Sequence, residues 1–113
     1  MESKATLRYN RQSPYKVRKV LNAVRGLNVG AAINYLAFSP EKASVAIEKT
    51  IKSAVANLMQ KDETNTIDTD LLKIKEAYVN QGPVMKRFRA ASMGRASRLR
   101  RPSCHLTIVL ATE

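Results

Sequence analysis

The sequence predicts an α+β fold: three helices packed on one face of a small three-stranded antiparallel sheet, with a long basic β-hairpin projecting from it. Three observations carry this. Apolar residues recur at helical spacing in three segments between residues 14 and 60. Strand-like runs stand around them at 5–10, 71–80 and 104–112, giving the order β-α-α-α-β-β. The last two strands are separated by 23 residues, 81–103, that hold seven bases and no acid.

The first strand is ATLRYN, with loose alternation. Ser13-Pro14 then supplies an N-cap followed by proline at the first helical position. Val17, Val20, Leu21 and Val24 follow on one helical face, and Gly26 closes the helix. Lys16, Arg18, Lys19 and Arg25 fall largely off that stripe, so this helix has a core face and a cationic face. Asn28 caps a second helix over about 29–38, with Ala32, Ile33 and Leu36 apolar. Ser39-Pro40 repeats the cap signal and opens the longest helix, about 40–60. Its stripe is Ala43, Ala46, Ile47, Thr50, Ile51, Ala54, Val55, Leu58 and Met59, small enough in places to approach a sheet closely. Glu48 and Lys52 form an i, i+4 pair. KDETNT (61–66) is a polar loop. The strand at 71–80 is expected to put Leu72, Ile74 and Tyr78 on one side, and the strand at 104–112 sets Leu106, Ile108 and Leu110 against His105, Thr107 and Val109.

The connection between these strands is too long for an ordinary loop, since structureless loops beyond about 12–15 residues are usually functional or disordered. Gly82-Pro83 begins it, Pro102 ends it, and Gly94 falls near its middle. Two arms of roughly 10 residues would project about 35 Å at the rise of an extended strand. Such a finger buries almost nothing against its own body, so it is expected to order on an anion.

With 113 residues, one domain is expected: a body at 1–81 and 104–113 carrying a hairpin at 82–103. At 44% apolar the chain can build one small core and is not a disordered polybasic tail. No run approaches the ~18 apolar residues of a membrane span. MESKATLRYN has no apolar segment, so no secretory signal is expected, and the lone Cys104 fits a reducing compartment, the cytoplasm or an organelle's interior.

Charge is distributed in blocks. Residues 1–25 carry a net +6, residues 26–81 carry −1, and residues 82–113 carry +6, which together make the net +11. Two cationic segments flanking a balanced middle call for a polyanionic partner, because clustered like charges repel and each phosphate contact releases counterions. The candidate nucleic-acid contacts are Arg8, Arg11, Lys16, Arg18, Lys19 and Arg25 in the first block and Lys86, Arg87, Arg89, Arg95, Arg98, Arg100 and Arg101 in the second. Arginine dominates the second block, and its planar fork grips phosphate bidentately. The alternatives are a merely solvated surface, a nucleoid-type DNA binder whose arm enters a minor groove, and a protein-binding module steered by its bases.

No catalytic constellation is present. There is no Gly-rich phosphate loop, and Cys104 and His105 are strand neighbours that point to opposite faces. One His and one Cys do not make a zinc site, and Asp62, Glu63, Asp68 and Asp70 lack calcium-loop spacing. No enzyme activity, cofactor, metal or homo-oligomer is expected. The six aromatics are not interleaved on one strand as an RNA-stacking platform of RRM type requires. Phe88, between Arg87 and Arg89, either stacks on a base or packs across the hairpin.

Six motifs in order resemble one known family over residues 5–112: Ser13-Pro14-Tyr15-Lys16-Val17-Arg18, Val24-Arg25-Gly26, Ser53-Ala54-Val55-Ala56-Asn57, Tyr78-Val79-Asn80-Gln81-Gly82-Pro83-Val84-Met85-Lys86-Arg87, Gly94-Arg95-Ala96 and His105-Leu106-Thr107-Ile108-Val109. The chain resembles the L-twenty-two family of large-subunit ribosomal proteins. The resemblance implies an α+β body on the outer surface of the large subunit, bound to its ribosomal RNA. It implies that the hairpin lines the nascent-peptide exit tunnel and meets ribosomal protein L-four at a constriction. The tip facing the nascent peptide would then be Ala90, Ala91, Ser92, Met93 and Gly94. This tip is less charged than the family's usual one, and Tyr15 stands where arginine is frequent.

Overall fold

In a computed structural model, which describes residues 2–61, 72–90 and 92–112, the chain runs β1 (Glu2–Asn10), α1 (Pro14–Val24), α2 (Val29–Phe38), α3 (Ala43–Lys61), β2 (Leu72–Gln81), β3 (Met85–Ala90), β4 (Ala96–Arg101) and β5 (Cys104–Thr112). A short 3-10 turn, Ser92–Gly94, joins β3 to β4. The strands form an antiparallel sheet in the order β1-β5-β2 and a separate two-stranded sheet of β3 and β4. This is the expected α+β class. The loop at 61–66 and the acids Asp62, Glu63, Asp68 and Asp70 lie outside the described residues, apart from Lys61 at the end of α3.

β5 is the middle strand because its alternation puts every second side chain into the core. Cys104, Leu106, Ile108 and Leu110 are fully buried, and each such leucine or isoleucine contributes roughly 1.5–3 kcal/mol of transfer free energy. Facing them are Val17, Leu21 and Val24 of α1 and Ile47, Ile51, Ala54 and Leu58 of α3, all at zero exposure. Where α3 crosses β1, the inward residues of the strand are small, Ser3 and Ala5. The Ser3 hydroxyl donates to the Ala54 carbonyl at 2.7 Å, so the close approach also satisfies a buried polar group.

Side chains bond carbonyls along both margins of the sheet. Along β1, Asn57 donates to the Lys4 carbonyl and Lys61 to the Glu2 carbonyl, at 3.1 and 3.2 Å. Along β2, Arg18 of α1 and Arg25 just beyond its end donate to the carbonyls of Val79 and Ala77, each at 2.7 Å for the closer bond. The Ile74 N–H donates to the Leu27 carbonyl.

Five expectations require correction. Tyr78 does not share a side with Leu72 and Ile74: the register of β2 shifts between Ile74 and Glu76, so Lys75 is an extra residue and the buried set continues as Ala77 and Val79. Ser39-Pro40 does not open the third helix, which starts at Ala43; Ser39 terminates α2 and its Oγ accepts the Glu41 N–H. Ser13 and Asn28 occupy N-cap positions with extended backbone, yet neither side chain makes a capping hydrogen bond. Finally, the hairpin strands do not continue β2 and β5 outward as 10-residue arms. Six residues pair on each side, about 20 Å at strand rise. The body strand also begins earlier than expected, at Glu2.

The two sheets meet at a narrow crossing. The Gly82 N–H donates to the Ser103 carbonyl at 2.9 Å, and the Ser103 hydroxyl donates to the Pro83 carbonyl at 2.6 Å. A Cβ on Gly82 would stand 2.6 Å from that hydroxyl oxygen and 3.2 Å from the Ser103 backbone. Gly82→Ala is therefore expected to destabilise the protein by about 1–3 kcal/mol, the range for overpacking a close contact. Thermal denaturation followed by circular dichroism checks this. Adding Ser103→Gly should return part of the loss; no loss in the single variant would mean the crossing yields freely.

Candidate nucleic-acid interface

The hairpin's chemistry follows from its register. Lys86 stands opposite Arg100, Phe88 opposite Arg98, Arg87 opposite Leu99, and Met85 opposite Arg101. Opposed residues share a face. One face therefore carries Lys86, Arg100 and Arg98, and the other carries Arg87, Arg89 and Arg101. Both faces are cationic, and nearly every residue of the two strands is exposed. Like charges directly opposite each other, as at Lys86 and Arg100, oppose pairing; an anion on that face relieves it. Among the described residues the ion pairs are Lys19–Glu41, Lys52–Glu48 and Lys75–Glu2, and none involves the hairpin. Phe88 is 72% exposed beside Arg98, so packing across the arms does not account for its ring.

At the tip, Met93 and Gly94 take φ of +64° and +75°, the left-handed turn that lets β3 reverse into β4. Met93 is fully exposed, Ala90 pairs with Ala96, and Ala91 lies outside the described residues. Arg95 follows the turn and is exposed.

The two cationic blocks, separated by some 60 residues of sequence, come together at the hairpin's base. A cleft of about 580 Å³ is lined by Arg11 and Lys16 from the first block, by Arg100 and Arg101 from the second, and by Lys42 ahead of α3. Glu41 is the acid in this lining, and it also reaches Lys19 at 3.9 Å. Sequence reasoning missed Lys42, which belongs to the charge-balanced middle and carries no local signal. Only the packing of the α2–α3 turn against the hairpin base brings it here.

The other expected contacts divide in two. Lys19 projects from α1 into solvent, as does Arg8 from β1. Arg18 and Arg25 already bond the margin of β2, with the Arg18 guanidinium 5.7 Å from the Tyr15 ring. These two arginines hold α1 to the sheet, whatever else their remaining N–H groups reach.

Cys104 and His105 point apart, as a strand requires. Cys104 is buried beside Asn10, and burial pushes its thiol pKa up. His105 accepts from the Tyr9 backbone N–H through Nδ1 at 3.0 Å. Among the described residues no group of three His, Cys, Asp or Glu comes together as a metal site, and no helix is long and apolar enough to cross a membrane.

Residues 5–111 match the ribosomal protein L22p/L17e family. The chain belongs to that family. A protein of Syntrophotalea carbinolica named large ribosomal subunit protein uL22 is 49% identical over 110 residues, covering 97% of both chains. Its namesake in Magnetococcus marinus is 43% identical over 112 residues, covering 99% of this chain and 96% of its own. That of Desulfatibacillum aliphaticivorans is 47% identical over 110 residues, covering 97% and 98%. Membership of the family makes this chain a structural, non-enzymatic protein of the large ribosomal subunit, cytoplasmic and of the bacterial type. It also accounts for the two cationic blocks of the sequence.

Proposed function

We propose that the protein binds and organises large-subunit ribosomal RNA, and that its basic hairpin lines the nascent-peptide exit tunnel. The observation that carries the RNA reading is the cleft at the hairpin base, where Arg11, Lys16, Lys42, Arg100 and Arg101 from four parts of the chain face one space. Cations so gathered repel one another until phosphates enter. The two cationic faces of the hairpin allow RNA to lie on both sides of it, which suits a strand pair threaded between RNA segments. Recognition then rests on shape and backbone, because A-form grooves hide base edges. The tunnel location, the contact with ribosomal protein L-four and the exposure of residues 90–94 to the nascent peptide rest on family membership.

Two measurements test these parts. Affinity for large-subunit rRNA and for duplex DNA of matched length is compared at low and high salt. Retention of rRNA binding as DNA binding collapses supports the reading; equal affinities that fall together overturn it. For the tunnel, a photo-crosslinking residue at Met93 in ribosomes holding a stalled chain should give adducts with that chain, and adducts with rRNA alone would argue against it.

The cleft makes its own prediction. Lys42→Gln should weaken rRNA binding several-fold near 0.1 M salt and lower the slope of log K against log salt by about 0.7–0.9, the value for a single neutralised phosphate. Lys52→Gln, which removes the partner of Glu48 on the exposed side of α3, serves as the control and should change neither.

A further inference from the structure

The sheet face turned away from the helices carries aromatic rings from three strands. Thr107 of β5 stands between Thr6 of β1 and Tyr78 of β2, and in the next row His105 stands opposite Asn80. At the β1 end of that row the register slips: Leu7 pairs with Leu106 and Asn10 with Cys104, so Arg8 and Tyr9 together face His105. Tyr9 takes φ +57° there, a left-handed conformation rare for a bulky residue. Two contacts hold it. Its N–H donates to His105 Nδ1 at 3.0 Å, and its ring meets the imidazole edge-on with centroids 4.9 Å apart.

The result is an aromatic ring held in place but not covered. Tyr9 is 61% exposed and Tyr78 is 39% exposed, while Thr107 is almost fully buried as the floor beside Tyr78. The Arg8 guanidinium lies 5.9 Å from the Tyr9 ring centroid. Lys4 stands on the same face opposite Val109, and the Lys75 ammonium holds the Glu2 carboxyl below the usual carboxylate range. Glu76 stands on the other side of Val109, in the row of Lys4. Strained backbone persists where the surroundings fix it, and such positions cluster at ligand sites.

We propose that this open face is a stacking platform for unpaired nucleobases of rRNA, with Tyr9 and Tyr78 each supplying a ring for one base and Arg8 and Lys4 holding the flanking phosphates. The proposal rests on the rRNA-binding reading and adds a second contact of different chemistry. Phosphate contacts set the salt dependence, whereas stacking of a base on an aromatic face does not. Single-stranded RNA is gripped in this way, with aromatic faces beside a cationic track.

The test uses Tyr9→Asn, which tolerates the left-handed backbone while removing the ring, together with Tyr78→Thr and the Phe variant at each position. Binding to large-subunit rRNA is measured across salt, with thermal melting alongside. Tyr9→Asn and Tyr78→Thr should each weaken binding by about 5- to 100-fold, the range for one stacked base, at an unchanged salt slope. Both Phe variants should stay within about twofold. Ultraviolet crosslinking to rRNA containing 4-thiouridine should give adducts on Tyr9 or Tyr78. Wild-type affinity in both variants with no such adduct overturns the platform and leaves the rRNA reading standing. Weakened binding that tracks a lowered melting temperature, without rescue by Phe, also overturns it. A wild-type protein that fails to prefer rRNA over duplex DNA overturns the rRNA reading itself, and the platform with it.

Discussion

Replacing residues 86–101 by an Asn-Gly turn should leave a folded body and lower rRNA affinity at least about 100-fold near 0.1 M salt, as expected when several phosphates give up their counter-charges together. The segment removed contains Lys86, Arg87, Arg89, Arg95, Arg98, Arg100 and Arg101, and no acid. Its strands are exposed along almost their whole length and pair with each other rather than with the body. Deleting them removes binding groups and little buried apolar surface, so the melting temperature should move by only a few degrees. The slope of log K against log salt should fall by nearly one for each phosphate no longer neutralised. Filter binding across salt and a thermal melt read both halves. Unchanged affinity would move the RNA interface to the body alone; an unfolded variant would mean that the crossing at Gly82 and Ser103 depends on the strands beyond it.

Ile108→Ala should act in the opposite way, costing about 2–5 kcal/mol of stability. Ile108 is fully buried at the centre of β5, between Ala5 on one side and Ala77 on the other. Its small neighbours cannot expand to fill the space, so a cavity remains beneath α3. A domain of this size holds only about 5–15 kcal/mol in all, and the melting temperature should fall by roughly 10–20 °C. Binding of rRNA at temperatures where the variant is folded should be nearly normal, because no cationic side chain has moved. A melt shifted by less than a few degrees would show that the core closes over the gap.

Much of this was legible along the chain. α1 announces itself through Ser13-Pro14, the spacing of Val17, Val20, Leu21 and Val24, and the stop at Gly26, whose φ is indeed +84°. β5 is written in its alternation. The two cationic blocks are visible from charge counting alone. What escaped depends on neighbours remote in sequence. The Lys75 bulge turns Tyr78 onto the open face, and in LLKIKEAYVN it shows only as a parity break between Ile74 and Ala77. Ser39-Pro40 carries a helix-start signal, but Ser39 is already committed to ending α2. Lys42 joins the basic cleft, and Tyr9 and Tyr78 share a face, only because the sheet and turns bring them there. Arg18 and Arg25 look like nucleic-acid contacts in the sequence; their bonds to Val79 and Ala77 give them an architectural duty as well.

The side-chain bonds along both sheet margins bear on the protein before it joins a ribosome. A freshly made, highly charged chain waits among many copies of itself, and an open strand invites another copy's strand to add to it. Here Asn57 and Lys61 occupy carbonyls on one side, and Arg18 and Arg25 on the other. The strands left open are β3 and β4, where the dense positive charge repels a second copy and attracts only the opposite sign. On the reading proposed above, the charge that draws RNA to the hairpin also keeps its open strands from pairing with those of another copy.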